Sequence, residues 1–163
     1  MRKSIILSPE QQLARDEHII QILAEYDAKI DQEYQDYMAN PLYAKPAKWL
    51  ARYAKKTFKF YGLKGWRLDF SYYRSNINGN CYLKTKTIAI NFEILPILTK
   101  DGNTYRLSGL FLHEVAHALC AEEHDNKTGI GYVREPHGKA FRKMCRRIGV
   151  PKEFWTATTV IDI

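Results

Sequence analysis

The chain has 163 residues, of which 45% are hydrophobic, and its 25 Lys and Arg exceed its 18 Asp and Glu to give a formal net charge of +7. This length and apolar content allow one sizeable hydrophobic core and disfavour a second independent domain. Its three scattered cysteines indicate no disulfide framework and fit a reducing compartment. The N-terminal apolar run is too short for a signal peptide and no stretch could span a membrane. We therefore expect a cytoplasmic protein with no membrane partner.

The N-terminal part of the chain predicts two helices. Ser8 is a favourable N-cap in front of Pro9, and apolar residues recur on one helical face over residues 9–39 until Asn40-Pro41 interrupts the pattern. A second helix is predicted from about Pro46 to Tyr61, and its inward-facing positions are Trp49, Leu50, Tyr53 and Thr57.

The middle of the chain predicts strands. Trp66, Leu68, Phe70 and Tyr72 alternate with polar residues, as in a half-buried strand. Asn78-Gly79 is a hairpin signal, and residues 81–84 and 87–91 supply further strands. Two more helical patterns follow. The order of elements predicts an α+β fold with N-terminal helices, a small antiparallel sheet and two closing helices.

The segment His113-Glu114-Val115-Ala116-His117 has the pattern of a metal-binding helix. Helical positions four apart lie on one face with Cβ atoms about 5–6 Å apart. Two imidazoles at that spacing can bind one Zn²⁺ at about 2.0–2.1 Å, and an open site needs only one more protein ligand. Glu114 projects beside the metal, where this pattern assigns it the role of base for the attacking water. The motif therefore indicates a zinc hydrolase.

The alternative is that the HExxH pattern occurs here by chance in a helix without a metal. Leu112, Val115, Ala116 and Leu119 form an apolar stripe, which places the helix in the core with its histidines at the edge of the stripe. A buried cluster of two histidines and a glutamate is costly without a partner, and a bound metal removes that cost. This context favours the metal.

The third ligand has several candidates. A metzincin would require glycine at position 120 and histidine at position 123, where this chain has Cys120 and Glu123. His124 is one residue out of that register and lies in a charged run typical of a solvated loop. Glu135 is 18 residues after His117, a position from which a glutamate-ligand zincin could supply a carboxylate. Glu135 and the later His137 both remain candidates at this point.

The helical pattern that follows favours His137 over Glu135. Core-facing residues continue from His137 at helical spacing, and Gly149 and Pro151 mark the end of that helix. His137 would thus open a closing helix on its buried face, whereas Glu135 precedes Pro136 and belongs to an extended approach segment. The core-facing residues are Phe141, Met144, Cys145 and Ile148.

These motifs resemble the SprT-like family of zinc metallopeptidases, with a Spartan/SprT-type protease core, over about residues 45–155. The resemblance implies a zincin-like domain that holds one Zn²⁺ on His113, His117 and His137, uses Glu114 as catalytic base and cleaves proteins associated with DNA. Several members carry a Cys-rich zinc ribbon after the protease domain, but this sequence contains no CxxC pair. The segments that carry the resemblance are 113–118, 137–141 with Gly149, 66–70 and 87–91.

Charge is distributed unevenly along the chain. Residues 1–44 contain four Lys and Arg against eight Asp and Glu, a net charge of −4, and residues 45–163 contain 21 against 10, a net charge of +11. We expect residues 1–44 to be an N-terminal helical segment packed on the core and residues 45–163 to be the SprT-like metalloprotease domain, within one domain overall.

Basic side chains share one face on each of two predicted helices. Such faces are often simply solvated, but two of them in one basic domain, together with the resemblance, favour DNA as a partner, in single-stranded or duplex form. Tyr61 and Trp66 lie just past the end of the second helix, where an exposed ring could stack a base, but a place in the core is favoured for both. The basic residues are Lys48, Arg52, Lys55, Lys56 and Lys59 on the second helix and Arg142, Lys143 and Arg146 on the last.

The sequence thus predicts an HExxH-type zinc metallopeptidase that hydrolyses DNA-associated proteins, in the cytoplasm or at the nucleoid. Tyr132 and Arg134 are candidates to stabilise the transition state, although the nearby glycines are also typical of a mobile rim. One alternative is a zinc peptidase with a dedicated protein target and no nucleic-acid role. The other is a non-catalytic, zinc-stabilised DNA-binding module.

Overall fold

The computed structural model describes residues 8–71, 78–128 and 137–156, and the chain divides into two compact units between Asn40 and Pro41. The first unit contains helix α1 (Pro9–Ala39), as predicted. The Ser8 hydroxyl accepts from the Gln11 backbone N–H, and the Gln11 side chain accepts from the Ser8 N–H. This reciprocal capping box fixes where the helix begins. The predicted packing of residues 1–44 on the core stays a prediction.

Helix α2 opens the second unit and spans Pro41–Phe60, so it begins five residues before the predicted start at Pro46. Proline is favoured in the first turn of a helix. Pro41 is the first residue of α2, and Pro46 lies inside the helix. Leu50 and Thr57 are buried as predicted. Trp49 and Tyr53 were predicted to face inward, but they are only half-buried because they lie at the side of the buried face.

The three strands form a mixed sheet in the order β1-β3-β2, with β1 (Arg67–Ser71), β2 (Gly79–Tyr82) and β3 (Thr87–Asn91). β1 pairs with β3 in parallel, and β2 pairs with β3 antiparallel. The prediction of an antiparallel sheet was therefore wrong for β1. All five residues of β3 are buried, and a strand buried on both faces occupies the centre of a sheet.

The hairpin lies between β2 and β3, not at Asn78-Gly79 as predicted. Gly79 instead begins β2, and the Asn78 carbonyl accepts from the backbone N–H of Asn91 at 2.9 Å. The turn after β2 contains Lys86, which has a positive φ of 50°. Its ammonium group donates to Glu122 at 2.8 Å, and the Trp66 indole donates to the same carboxylate oxygen at 2.8 Å. Trp66 is buried, which confirms the expected place in the core and leaves no exposed ring there to stack a base.

Helices α3 (Leu95–Leu98), α4 (Tyr105–Thr128) and α5 (Lys139–Ile148) complete the unit. α4 runs through the core, where the fully buried Phe111 contacts the rings of Tyr53 and Phe58 at 5.8 and 5.7 Å between centroids. α5 ends at Gly149 in the left-handed conformation (φ 76°), as predicted. Its predicted core face is buried. These elements confirm an α+β fold. Within the described residues, no helix is long and apolar enough to cross a membrane.

Candidate metal centre

Helix α4 carries the HExxH segment through the interior of the second unit. His113 and Glu114 are buried and His117 is half-buried. Val115 and Ala116 of the predicted apolar stripe are fully buried, so the helix is fixed in rotation by its core contacts. Because positions 113 and 117 are one turn apart, this rotation directs both imidazoles to the same side of the helix.

The Nε2 atoms of three histidines meet at one point. The distance from His117 Nε2 to His113 Nε2 is 3.1 Å, and His137 Nε2 lies 3.2 Å from each of them. Tetrahedral ligation with zinc–nitrogen bonds of about 2.0–2.1 Å separates ligand atoms by about 3.3–3.4 Å, close to these values. The three histidines could therefore hold a metal ion.

A hydrogen bond to the Phe154 carbonyl sets the protonation of His113. His113 Nδ1 lies within hydrogen-bonding distance of that backbone oxygen, and since a carbonyl can only accept, Nδ1 must carry the proton and donate. Nε2 then has a lone pair, which faces the other two histidines. Histidine ligands commonly donate their second ring N–H in this way, which fixes the tautomer and the orientation of the ring.

The position of Phe154 depends on a glycine in α4. A Cβ atom built on Gly109 would lie 2.5 Å from Cε2 and 2.6 Å from Cδ2 of the Phe154 ring. Only glycine therefore allows the buried Phe154 ring to pack this closely against α4. That contact in turn brings the Phe154 carbonyl to His113, four residues after Gly109 on the same helix.

His137 reaches the cluster from the segment that leads into α5. From the sequence, His137 was expected to open the closing helix itself. The structure instead places it one residue before the N-cap residue Gly138, so the third imidazole comes from just before the helix. The His137 carbonyl accepts from Arg142 Nε at 3.1 Å, which ties this residue to the first turn of α5. Arg142 thereby has a structural contact besides its predicted contact with DNA.

Phe141 forms an apolar floor beneath the three imidazoles. Its ring stacks on His117 with centroids 4.3 Å apart, and its centroid lies 4.9 Å from each of the other two histidine rings. Phe141 has no exposed surface. The sequence identified it as a core residue, but its contact with all three imidazoles was not foreseen.

Burial keeps the histidines neutral. It lowers the pKa of His113 to about 4 against the opposing effect of the Phe154 hydrogen bond, and it lowers the pKa of His117 to about 3 together with the neighbouring His113 and His137. The pKa of His137 is also lowered, by burial and by Arg142. Neutral imidazoles have the lone pairs that a metal requires, so the site needs no deprotonation near pH 7.

Glu114 lies on the β2 side of α4 and is 5% exposed. A Cβ atom built on Gly79 would lie 2.9 Å from Glu114 Oε1 and 3.2 Å from its Cγ, so the glycine makes room for this carboxylate. Burial raises the pKa of Glu114 to about 8, which makes its carboxylate a stronger base. Burial, followed by the charge of Glu114, also raises the pKa of Cys81, two residues after Gly79 on the same strand.

None of the other predicted site residues that the structure describes is in the cluster. Tyr132, Arg134 and the alternative ligand Glu135 lie outside the described residues, as does the side chain of His124. The basic residues of α2 are exposed, as are Arg142, Lys143 and Arg146 of α5. The Arg146 guanidinium lies 5.6 Å from the centroid of the Trp155 ring, so α5 uses part of its basic face in contacts within the chain.

Comparison with protein families matches residues 47–160 to the SprT-like family. The chain belongs to the SprT-like family. Comparison with curated proteins and with solved structures gives no significant match. The second unit accordingly has a metallopeptidase-type fold, and the three-histidine cluster that could hold a metal ion lies within the matched residues.

We predict that the isolated protein contains about one Zn²⁺ per chain and that His137→Ala loses most of it, because three imidazoles converge on a single point. Glu135→Ala serves as the matched control and should retain the metal. Elemental analysis of the purified proteins measures this. Zinc retained by His137→Ala and lost by Glu135→Ala would reverse the ligand assignment.

A second prediction concerns Gly109→Ala. The added methyl group displaces the Phe154 ring and with it the carbonyl that orients His113, so the affinity for Zn²⁺ should fall by about 10- to 100-fold, as for other outer-shell changes. Competition with a chromophoric chelator measures the dissociation constant. Ser108→Ala, one residue earlier on α4, should leave it unchanged. Equal affinities for the two variants would show that the Phe154 carbonyl does not orient His113.

Proposed function

We propose that the chain is a zinc-dependent peptidase that uses Glu114 as its catalytic base. The observation that supports this most strongly is the convergence of three imidazole Nε2 atoms within 3.2 Å of one another, with the buried Glu114 carboxylate on the same helix. Among the described residues, no fourth His, Cys or carboxylate joins the three-histidine cluster. Structural zinc sites usually have four protein ligands, whereas catalytic sites keep one position open. The open position argues against a purely structural site.

Bound Zn²⁺ supplies Lewis-acid polarisation of a carbonyl and makes water more acidic. The remaining chemistry belongs to Glu114. Its carboxylate accepts a proton from the attacking water and then delivers that proton to the leaving amine nitrogen. Burial raises its pKa, while the positive charge of a bound metal lowers it again. The two effects together bring the base towards the operating pH.

The sheet supports a polypeptide as the substrate. Within the described residues, β2 is an edge strand that pairs with β3 alone, and an extended peptide can add to such an edge through main-chain hydrogen bonds. Gly79 of β2 adjoins the Glu114 carboxylate. A peptide along this edge would therefore pass beside the catalytic base.

We further propose that the target proteins are associated with DNA. The net charge of +11 over residues 45–163 favours a polyanion close to the peptidase, and all six basic residues of α2 are exposed. The second candidate is a peptidase with a dedicated target and no nucleic-acid role. Hydrolysis of an unstructured protein and of a DNA-binding protein, each with and without DNA, distinguishes the two. DNA should accelerate only cleavage of the DNA-binding protein.

Glu114→Gln should retain zinc and fold but lose hydrolysis by on the order of 10²–10⁴-fold, because it preserves shape and removes the proton acceptor. Cleavage of casein, zinc content and thermal unfolding are measured on the same preparation. Wild-type activity in this variant would mean that the proton of the attacking water is taken by another group.

Gly79→Ala should lower kcat by about 10²-fold while zinc content stays constant, because the new Cβ atom would meet Glu114 Oε1 and displace the base by a fraction of an ångström to an ångström. Asn80→Ala changes the neighbouring residue, whose side chain lies on the other face of β2, and should have little effect. If both variants retain full activity, Gly79 does not position the carboxylate.

A further inference from the structure

Helix α2 carries a strip of aromatic and basic side chains along one side. At 100° per residue, Trp49, Tyr53 and Phe60 fall on the same flank of the helix, beside its buried face, and Arg52 and Lys56 border that flank. From the sequence, the basic residues of this helix were expected to share one face of their own. The structure instead shows two cations alternating with the rings along the helix. Lys48, Lys55 and Lys59 lie farther round the helix from the rings than Arg52 and Lys56 do.

Trp49 and Tyr53 form a stacked pair supported by the core. Their ring centroids are 5.1 Å apart and the rings are inclined by only 12°. Tyr53 is held from the inside by an edge contact with the buried Phe111, with centroids 5.8 Å apart. Both members of the pair are half-buried. The core therefore fixes the orientation of a ring stack that still has exposed surface.

Two adjoining clefts run along this strip and share Tyr53 and Lys56. The first has a volume of about 290 Å³, and Trp49, Arg52, Tyr53 and Lys56 line it. The second has a volume of about 320 Å³ and continues past Tyr53 to Phe60 and Tyr61. Phe60 is 80% exposed, so its ring adds an accessible apolar surface to the second cleft.

The cations of the strip have no anionic partner in the part of the chain that the structure describes. Its salt bridges join Lys86 to Glu122 and Arg147 to Glu123, and neither involves Arg52 or Lys56. Both side chains are exposed. The strip thus presents a ring stack and two unneutralised positive charges to the same space.

We propose that this strip binds single-stranded nucleic acid, with a base stacked on Trp49 and the phosphates beside it contacted by Arg52 and Lys56. Aromatic rings next to a basic groove are the usual means of binding single strands without sequence preference, since every base has a flat face. In a duplex the bases stack on one another and offer no face to a ring on the protein surface. This inference deepens the DNA association under the proposed function, but it does not depend on hydrolysis.

The principal test is binding of a short fluorescein-labelled oligothymidylate to the full, zinc-loaded chain by fluorescence anisotropy. Trp49→Leu keeps an apolar side chain but removes the ring, and it should weaken binding by about 5- to 100-fold, the range found for loss of one stacked base. Trp49→Phe should retain most of the affinity. Wild-type affinity in Trp49→Leu overturns the proposal.

A matched pair of charge reversals tests the phosphate contacts. Arg52→Glu with Lys56→Glu and Lys48→Glu with Lys55→Glu change the net charge equally, but only the first pair borders the ring stack. The first double variant should bind more weakly than the second and should show a shallower dependence of log affinity on log salt concentration. If both double variants lose the same affinity, the protein attracts the strand by its overall charge and has no defined binding site. This outcome would overturn the proposed site on the strip.

Unmodified protein provides the test that no folding defect can obscure. An abasic oligomer of the same length keeps the phosphates and removes the bases, so it should bind at least several-fold more weakly than oligothymidylate, and a duplex should also bind more weakly. Oligouridylate asks whether the strand is DNA or RNA, and either outcome is compatible with stacking. Equal binding of the abasic oligomer overturns the proposal. Because hydrolysis of casein without DNA is measured separately, failure here leaves the peptidase proposal intact.

Discussion

The hydrogen bond from His113 to the Phe154 carbonyl is the constraint on which the metal centre depends. It joins the middle of α4 to the turn after α5 and leaves the Nε2 lone pair facing the cluster. Without that acceptor, a neutral buried imidazole could carry its proton on either nitrogen. The tautomer with the proton on Nε2 would direct an N–H towards the other histidines. The contact of Phe154 with Gly109 therefore has a chemical consequence, because tight packing at one turn of α4 selects the tautomer at the next.

Much of the site could be predicted from the sequence because the positions of its histidines follow the spacing of residues along a helix. The separation of His113 from His117, and the core pattern that follows His137, both reflect the period of a single helix. The Phe154 carbonyl has no such signature, since every residue has a carbonyl and the contact spans 41 residues. The roles of Gly79 and Gly109 could not be predicted for a related reason. A glycine is required at these positions only because another side chain packs against it, and the sequence does not show which one.

The helices of the fold could also be predicted from the sequence, because their ends follow proline, glycine and capping residues. The predicted start of α2 was wrong because Pro41 and Pro46, five residues apart, are both residues that are favoured in the first turn of a helix. Strand pairing is a long-range property. The continuous apolar run of Thr87–Asn91 indicates a central strand, but its neighbours are set by how the chain crosses the sheet. The outward placement of Trp49 could not be read from hydrophobicity alone, because a tryptophan at the border of a buried face satisfies the same pattern.

Phe141 connects the metal centre to the hydrophobic core in a way that links occupancy to stability. Its ring packs on all three imidazoles and is itself part of the buried face of α5. An ion held by these imidazoles joins α4 to the segment before α5 in the folded state only, so by mass action its binding free energy adds to the free energy of unfolding. The folded population then follows the concentration of free metal. A cell that withdraws this metal would thereby lower the amount of this protein as well as the fraction that carries the ion.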